Sequence, residues 1–177
     1  MDNFTFNISL SVLNHLGRNL YRNFITVLGE AISNSWDADA ENVWIYIDRD
    51  KNCLIIKDNG IGMTADDFQN KFLKIGYSKR KDGANKTNSQ RPFIGRKGIG
   101  KLALLSCAER IHVLSKTAVT DFVGGVIDNS GLDNAINDDL TPQQYPLETV
   151  DTELFRKHIE DFEKGTIIYF ENVNDGI

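Results

Sequence analysis

Two six-residue runs, VWIYID (Val43–Asp48) and CLIIKD (Cys53–Asp58), are separated by only four polar residues. That spacing constrains the fold more than any other feature. Both runs are rich in β-branched and aromatic side chains, which suit a pleated strand, so the simplest joining is a β-hairpin. Helical patterns precede it. Leu10, Leu13, Leu16 and Leu20 recur at helical spacing across Ser9–Tyr21, and Asn23–Ala38 reads as a second, longer helix. After the hairpin, DNGIGMT breaks the pattern with two glycines, and Thr64 is placed to cap a short helix reaching about Ile75, with Asp66 and Asp67 in its first turn. A helix over Gly98–Ala108, strands at IHVLS (111–115) and DFVGGVI (121–127), a helix over Asp151–Glu163 and a strand over Thr166–Phe170 complete the reading. The order implies α+β, with helices on one face of a mixed, mostly antiparallel sheet.

At 177 residues the chain has room for one domain with a real core. No apolar run approaches the roughly 18–20 residues of a membrane span, and no secretory pattern opens the sequence, so the cytoplasm is the expected location. Cys53 and Cys107 lie far apart inside apolar segments and read as buried thiols of a reduced compartment. His15, His112 and His158 are scattered, which argues against a zinc cluster. Charge is unevenly distributed. Of the twenty Lys and Arg, ten fall between Lys71 and Lys101 against one acid, Asp82, although the whole chain carries −5. Such a block suits a solvated stretch or an anion site. The acidic remainder argues against a broad nucleic-acid footprint. Residues 76–97 read as a functional lid, and residues 128–146, rich in Asn, Asp, Gly and Pro, as a poorly ordered insertion.

Three clusters carry chemistry. On the second helix, Glu30, Asn34 and Asp37 fall on one side while Phe24, Leu28, Ala31 and Ile32 fall on another. A solvated polar face is the ordinary meaning of such a row. At the end of the second strand stands Asp58-Asn59-Gly60-Ile61-Gly62-Met63. A strand-end carboxylate can accept a hydrogen bond from an exocyclic amine, glycine lets a flat ring approach the backbone, and a thioether offers it a polarizable contact. Finally, Ile94-Gly95-Arg96-Lys97-Gly98-Ile99-Gly100-Lys101 runs into an apolar helix, where free amides suit phosphate oxygens. Its glycine spacing is not that of a Walker loop, and it lacks the βαβ setting of a dinucleotide fingerprint.

In this order the clusters resemble the GHKL ATPase family of gyrase, the heat-shock chaperone, histidine kinases and MutL. LGEAISNSWDADA is similar to the N box, IIKDNGIGMT to the first glycine box and IGRKGIGKLALLSCA to the second. Lys164-Gly165-Thr166-Ile167-Ile168 is similar to the late strand whose threonine stands near the adenine. The basic segment before the second glycine box is nearer the MutL-like and MORC-like branches than the chaperone-like one.

The resemblance implies a two-layer α/β sandwich of the Bergerat type, with ATP and Mg2+ held between helices and sheet. It makes Glu30 the general base for the attacking water and Asn34 the magnesium ligand. Asp58 becomes the adenine-binding carboxylate, with Gly62 and Met63 beside the ring, Ala38 lining the pocket and Thr166 assisting. Asp37 would be bonded within the pocket. Gly98, Ile99 and Gly100 would cradle the phosphates, Lys101 could reach one, and Lys79 or Arg80 could close over them from the lid. The implied activity is slow ATP hydrolysis by one domain of a conformational machine, acting as an ATP-dependent homodimer on an unidentified client protein or nucleic acid. A histidine-kinase-type catalytic domain and a nucleotide-gated binding module with negligible turnover are the alternatives. Family ATPases continue past the late strand into further modules, so residues 1–177 are expected to be a single domain from a longer chain.

Overall fold

A computed structural model of the chain describes residues 24–74, 86–95, 104, 107–129 and 147–173. The expected helix over Ser9–Tyr21, most of the expected helix over Gly98–Ala108 and nearly all of the 128–146 insertion lie outside the described residues.

Helix α1 (Phe24–Asp37) leads into the hairpin of β1 (Val43–Asp48) and β2 (Cys53–Asp58). A three-residue helix α2 (Ala65–Asp67) passes directly into a π turn (Phe68–Phe72). Strands β3 (Ala108–Lys116) and β4 (Val123–Asp128) follow. A 3-10 turn (Thr152–Phe155), a one-turn helix α3 (Arg156–Ile159) and strand β5 (Gly165–Val173) close the order. The five strands form one sheet in the order β1-β2-β5-β3-β4, and every pairing among them is antiparallel. The last strand therefore sits at the centre.

The core follows from period-two alternation in the strands. Leu54 and Ile56 on β2, Ile111 and Val113 on β3, and Ile168 and Phe170 on β5 share a cluster with Val27 and Ala31 of α1. Leu114, Val126 and Ile167 belong to a second cluster, covered by Val150, Phe155 and Phe162. Among the described residues, α1 with Phe68 and Leu73 thus covers one face of the sheet, and the segment around α3 partly covers the other.

Four local expectations are corrected. Ile32 is not on the buried side of α1 but 46 % exposed, because Val27, Ala31 and Ser35, spaced by four, set the core-facing line. Thr64 does cap a helix, in a capping box with Asp67, but the turn widens at once: Leu73 N–H reaches back to Phe68 O at 2.9 Å. Phe68 and Leu73 are both fully buried by that register, so side-chain burial outweighs α-helical regularity. The expected helix over Asp151–Glu163 shrinks to two single turns. Lys57 Nζ donates to His158 O at 2.7 Å, satisfying a terminal carbonyl, while Phe162 turns inward to stack on Phe122 at 6.1 Å. Ala108, expected at a helix end, opens strand β3.

Candidate functional site

Antiparallel pairing brings the end of β2, the start of β5 and the end of β3 to one rim of the sheet, since Lys57 pairs with Ile167 and Ser115 with Thr166. The C-terminal half of α1 lies over this rim. Asp58, the last residue of β2, is 8 % exposed. Its Oδ1 accepts Gly60 N–H at 2.9 Å and Thr166 N–H at 3.2 Å, and its Oδ2 accepts the Ser35 hydroxyl at 3.0 Å. A carboxylate has about four acceptor positions, so these three donors leave one for a ligand. Burial pushes the Asp58 carboxyl above its ordinary range, and the three hydrogen bonds hold part of that rise back.

Two glycines let this rim close. Gly62 has φ +71°, and a Cβ there would fall 1.9 Å from Lys116 O. Gly165 has φ +127°, and a Cβ there would fall 2.0 Å from Asp58 O. No other residue type combines those backbone angles with that approach. Around them runs a hydroxyl network. Ser115 Oγ, fully buried, donates to Gly165 O at 2.8 Å and accepts Met63 N–H at 3.0 Å. Thr166 Oγ1 lies 3.0 Å away. Since the single Ser115 proton is directed to Gly165 O, Thr166 donates to Ser115 and turns acceptor lone pairs to whatever binds beside it.

Helix α1 supplies the opposite wall. Glu30 and Asn34, one turn apart, are half-buried, and among the described residues neither side chain is engaged in a hydrogen bond. Burial raises the Glu30 carboxyl, which moves it in the direction a general base needs. Ala38 is half-buried, and its carbonyl accepts Ile61 N–H at 2.8 Å. The helix stops in a Schellman motif. Asp39 takes the left-handed conformation (φ 57°), Ala40 N–H reaches Ser35 O at 3.0 Å and Asp39 N–H reaches Trp36 O at 3.0 Å.

Residues 86–95 are fastened to this helix end. Thr87 N–H donates to Arg91 O at 2.8 Å, closing a small turn. Trp36 Nε1–H donates to Pro92 O at 3.0 Å, Arg91 Nη1 donates to Ala40 O at 2.7 Å, and the Arg91 guanidinium lies 4.9 Å over the Trp36 ring. Asp37, 6 % exposed, accepts Ile94 N–H on Oδ1 at 2.9 Å and Gly95 N–H on Oδ2 at 3.2 Å.

The structure therefore gathers Asp58, Gly62, Met63 and Thr166 on one rim, with Glu30, Asn34, Asp37 and Ala38 on the helix above it. Gly98, Ile99, Gly100, Lys101, Lys79 and Arg80 lie outside the described residues. Among the described residues no group of three or more His, Cys, Asp or Glu could hold a metal ion. The free Asn34 amide fits a cation that brings its own waters and phosphate ligands, as magnesium does. Sequence reasoning missed Ser35 and Ser115. Ser35 had a signal, a polar residue on the buried line of α1, whereas Ser115 in an apolar strand had none.

Residues 21–166 match a family described as histidine kinase-, DNA gyrase B-, and HSP90-like ATPase. Among individual proteins, a protein named as a type II restriction enzyme, HgiDII of Herpetosiphon aurantiacus, is 42 % identical over 149 residues, covering 82 % of this chain and 24 % of the relative. The chaperone protein HtpG of Campylobacter jejuni strain RM1221 is 37 % identical over 126 residues, 58 % of this chain and 20 % of the relative. The mitochondrial TNF receptor-associated protein 1 homolog of Dictyostelium discoideum is 28 % identical over 142 residues, 68 % of this chain and 20 % of the relative. The chain thus spans a quarter or less of the length of these relatives. With the strand-end acid and the paired glycines on one rim, the helix bearing Glu30 and Asn34 tied to it through Ser35, and the match covering most of the sequence, the chain belongs to the histidine kinase-, DNA gyrase B- and HSP90-like (GHKL) ATPase family.

Proposed function

We propose that this domain binds ATP with magnesium on the Asp58 rim and hydrolyses it slowly as part of a longer, dimerising, cytoplasmic machine. The observation that carries the reading is the Asp58 carboxylate, ringed by three protein donors with one acceptor position left. That position suits an exocyclic amine such as the one on adenine. Gly62 and Met63 flank the base, Ala38 lines the pocket, and Thr166 receives a donor, from the ring or from a bridging water. Above it, Asn34 holds magnesium through its amide oxygen, and the cation supplies charge neutralisation to the phosphates. Glu30, with its carboxyl raised by burial, orients and deprotonates the attacking water. The backbone at Gly98, Ile99 and Gly100 cradles phosphate oxygens together with Lys101. Lys79 and Arg80 close over them from a lid within residues 76–97, whose far part, residues 86–95, is fastened to α1. Family membership supports ATP as the ligand. The relatives' length supports further modules in the full protein, with the client, protein or nucleic acid, selected there. Among the described residues, no helix is long and apolar enough to cross a membrane.

Calorimetry and phosphate release test this together. Wild type is expected to bind ATP with magnesium. Asp58→Ala removes a charged hydrogen bond and weakens binding about 10- to 100-fold. Glu30→Ala keeps ATP affinity while phosphate release falls about 10²- to 10⁴-fold. Absence of heat on folded wild type would end the proposal, and equal phosphate release by wild type and Glu30→Ala would remove Glu30 from its role. Labelled phosphate appearing on an acceptor protein instead of in solution would redirect the reading to a kinase.

A further inference from the structure

We infer that Asp37 is a positioning residue that fixes Ile94 and Gly95, which lead towards the proposed phosphate cradle, to the helix carrying Glu30 and Asn34. The inference rests on the nucleotide reading of the rim and adds to it a residue that touches no ligand.

The geometry is a fork. One buried carboxylate accepts two successive backbone N–H groups, Ile94 at 2.9 Å and Gly95 at 3.2 Å. Two bonds from adjacent amides to one carboxylate fix both the position and the direction of the chain at Ile94 and Gly95. The contact is close from the loop side as well, since a Cβ built on Gly95 would lie 2.7 Å from Asp37 Oδ2. The same loop is held to the next residues of the helix end. Ser89 N–H donates to Asp39 Oδ2 at 3.1 Å, and Trp36 and Arg91 clasp each other. Those outer ties hold residues 86–92, whereas Asp37 among them reaches Ile94 and Gly95, the last described residues before the glycine run.

Glu30 and Asp37 are seven residues apart on one helix, two turns, and so share a side. The water held by Glu30 and the phosphate held by the loop are then referred to a single rigid element. A displacement of about 1 Å between attacking and accepting atoms costs about 10²-fold in rate. Adenine recognition is referred to a different frame, the β2–β5–β3 rim. Loosening Asp37 is therefore expected to separate the two ends of the nucleotide energetically.

The test is a comparison of adenosine with ATP and magnesium, by titration calorimetry, together with single-turnover phosphate release. The variants are Asp37→Asn, which replaces one acceptor oxygen with a donor, and Gly95→Ala, which pushes on the same carboxylate from the loop. For both, adenosine affinity is expected to stay within about twofold of wild type, ATP affinity to fall about tenfold, and the single-turnover rate to fall about 10²-fold. Equal weakening of adenosine and ATP would mean a general structural role and overturn the inference. So would unchanged ATP affinity and rate in both folded variants. Wild type that binds neither ligand would overturn the rim reading itself, and this inference with it. Thermal melting checks that each variant is folded, and should Asp37→Asn fail to fold, Gly95→Ala carries the comparison with the same outcomes.

Discussion

Strand β3 carries buried polar side chains at its Asp58 end and at its middle, and the two places are built differently. At the Asp58 end, Ser115 is fully buried, with Met63 N, Gly165 O and Thr166 Oγ1 all within 3.0 Å of its Oγ. Three residues back along β3, His112 is 4 % exposed and places Nε2 2.9 Å from Glu171 Oε2, but its Nδ1 is buried without a partner. Beside it, Arg110 pairs with Glu148 while its Nε is likewise buried and unpartnered. A buried polar group with no partner costs about 1–3 kcal/mol, whereas a satisfied one is nearly neutral in net terms and defines a position. The first is organised to hold something in place. The second tolerates loose ends, and nothing in its geometry asks for accuracy.

The largest expected way to break this contrast is Gly165→Ala. The new Cβ must meet Asp58 O in a backbone conformation nearly reserved for glycine, so a loss of about 3 kcal/mol or more is expected in urea denaturation, with nucleotide binding lost alongside. A loss below about 1 kcal/mol would show that the rim has slack. Ser115→Ala against His112→Phe sharpens the comparison. The first strands three partners and should cost about 1–3 kcal/mol, while the second removes an already half-satisfied ring and should change stability by less than about 1 kcal/mol in either direction. Equal costs would erase the distinction between the two places.

The smallest effect concerns pH. Because burial raises the Asp58 carboxyl in the folded state, its contribution to stability is full below the ordinary aspartate value of about 3.9 and is lost as pH rises through the folded value. On the proposed reading, ligand binding runs the opposite way, since a proton on Asp58 occupies the acceptor position proposed for the base. As the pH falls from neutral towards the ordinary aspartate range, wild type should gain stability relative to Asp58→Asn, while its ATP affinity drops. Calorimetry and denaturation across the same buffers check this. Both quantities moving in the same direction would mean that Asp58 is not the titrating group at the site.

Much of this architecture is legible in the residues, for identifiable reasons. The hairpin strands fall on Val43–Asp48 and Cys53–Asp58 as read, because β-branched runs and a four-residue link leave little choice. Asp58 and the two glycines after it were visible as a break at a strand end, and Thr64 as a cap, since both signals are local. The failures are tertiary. The π turn after Asp67 exists to bury Phe68 and Leu73, and the short α3 yields to Lys57 and Phe122, partners distant in sequence. Ser115 belongs to the site only through strand pairing with Thr166, which no period in the sequence reveals. The Asp37 fork to Ile94 and Gly95 spans 57 and 58 residues and was equally hidden.

The central place of β5 also governs when the site can come into being. Asp58 receives Thr166 N–H across 108 residues, and among the described strands β2 and β3 are joined through β5, so a growing chain has two separate half-sheets until β5 arrives. Closing so long a loop is entropically slow and is repaid only once the strand is inserted between both halves. A partly synthesised chain therefore has Asp58 and the helix but not the assembled rim, and on the proposed reading nucleotide can stabilise this domain only after synthesis has passed residue 166.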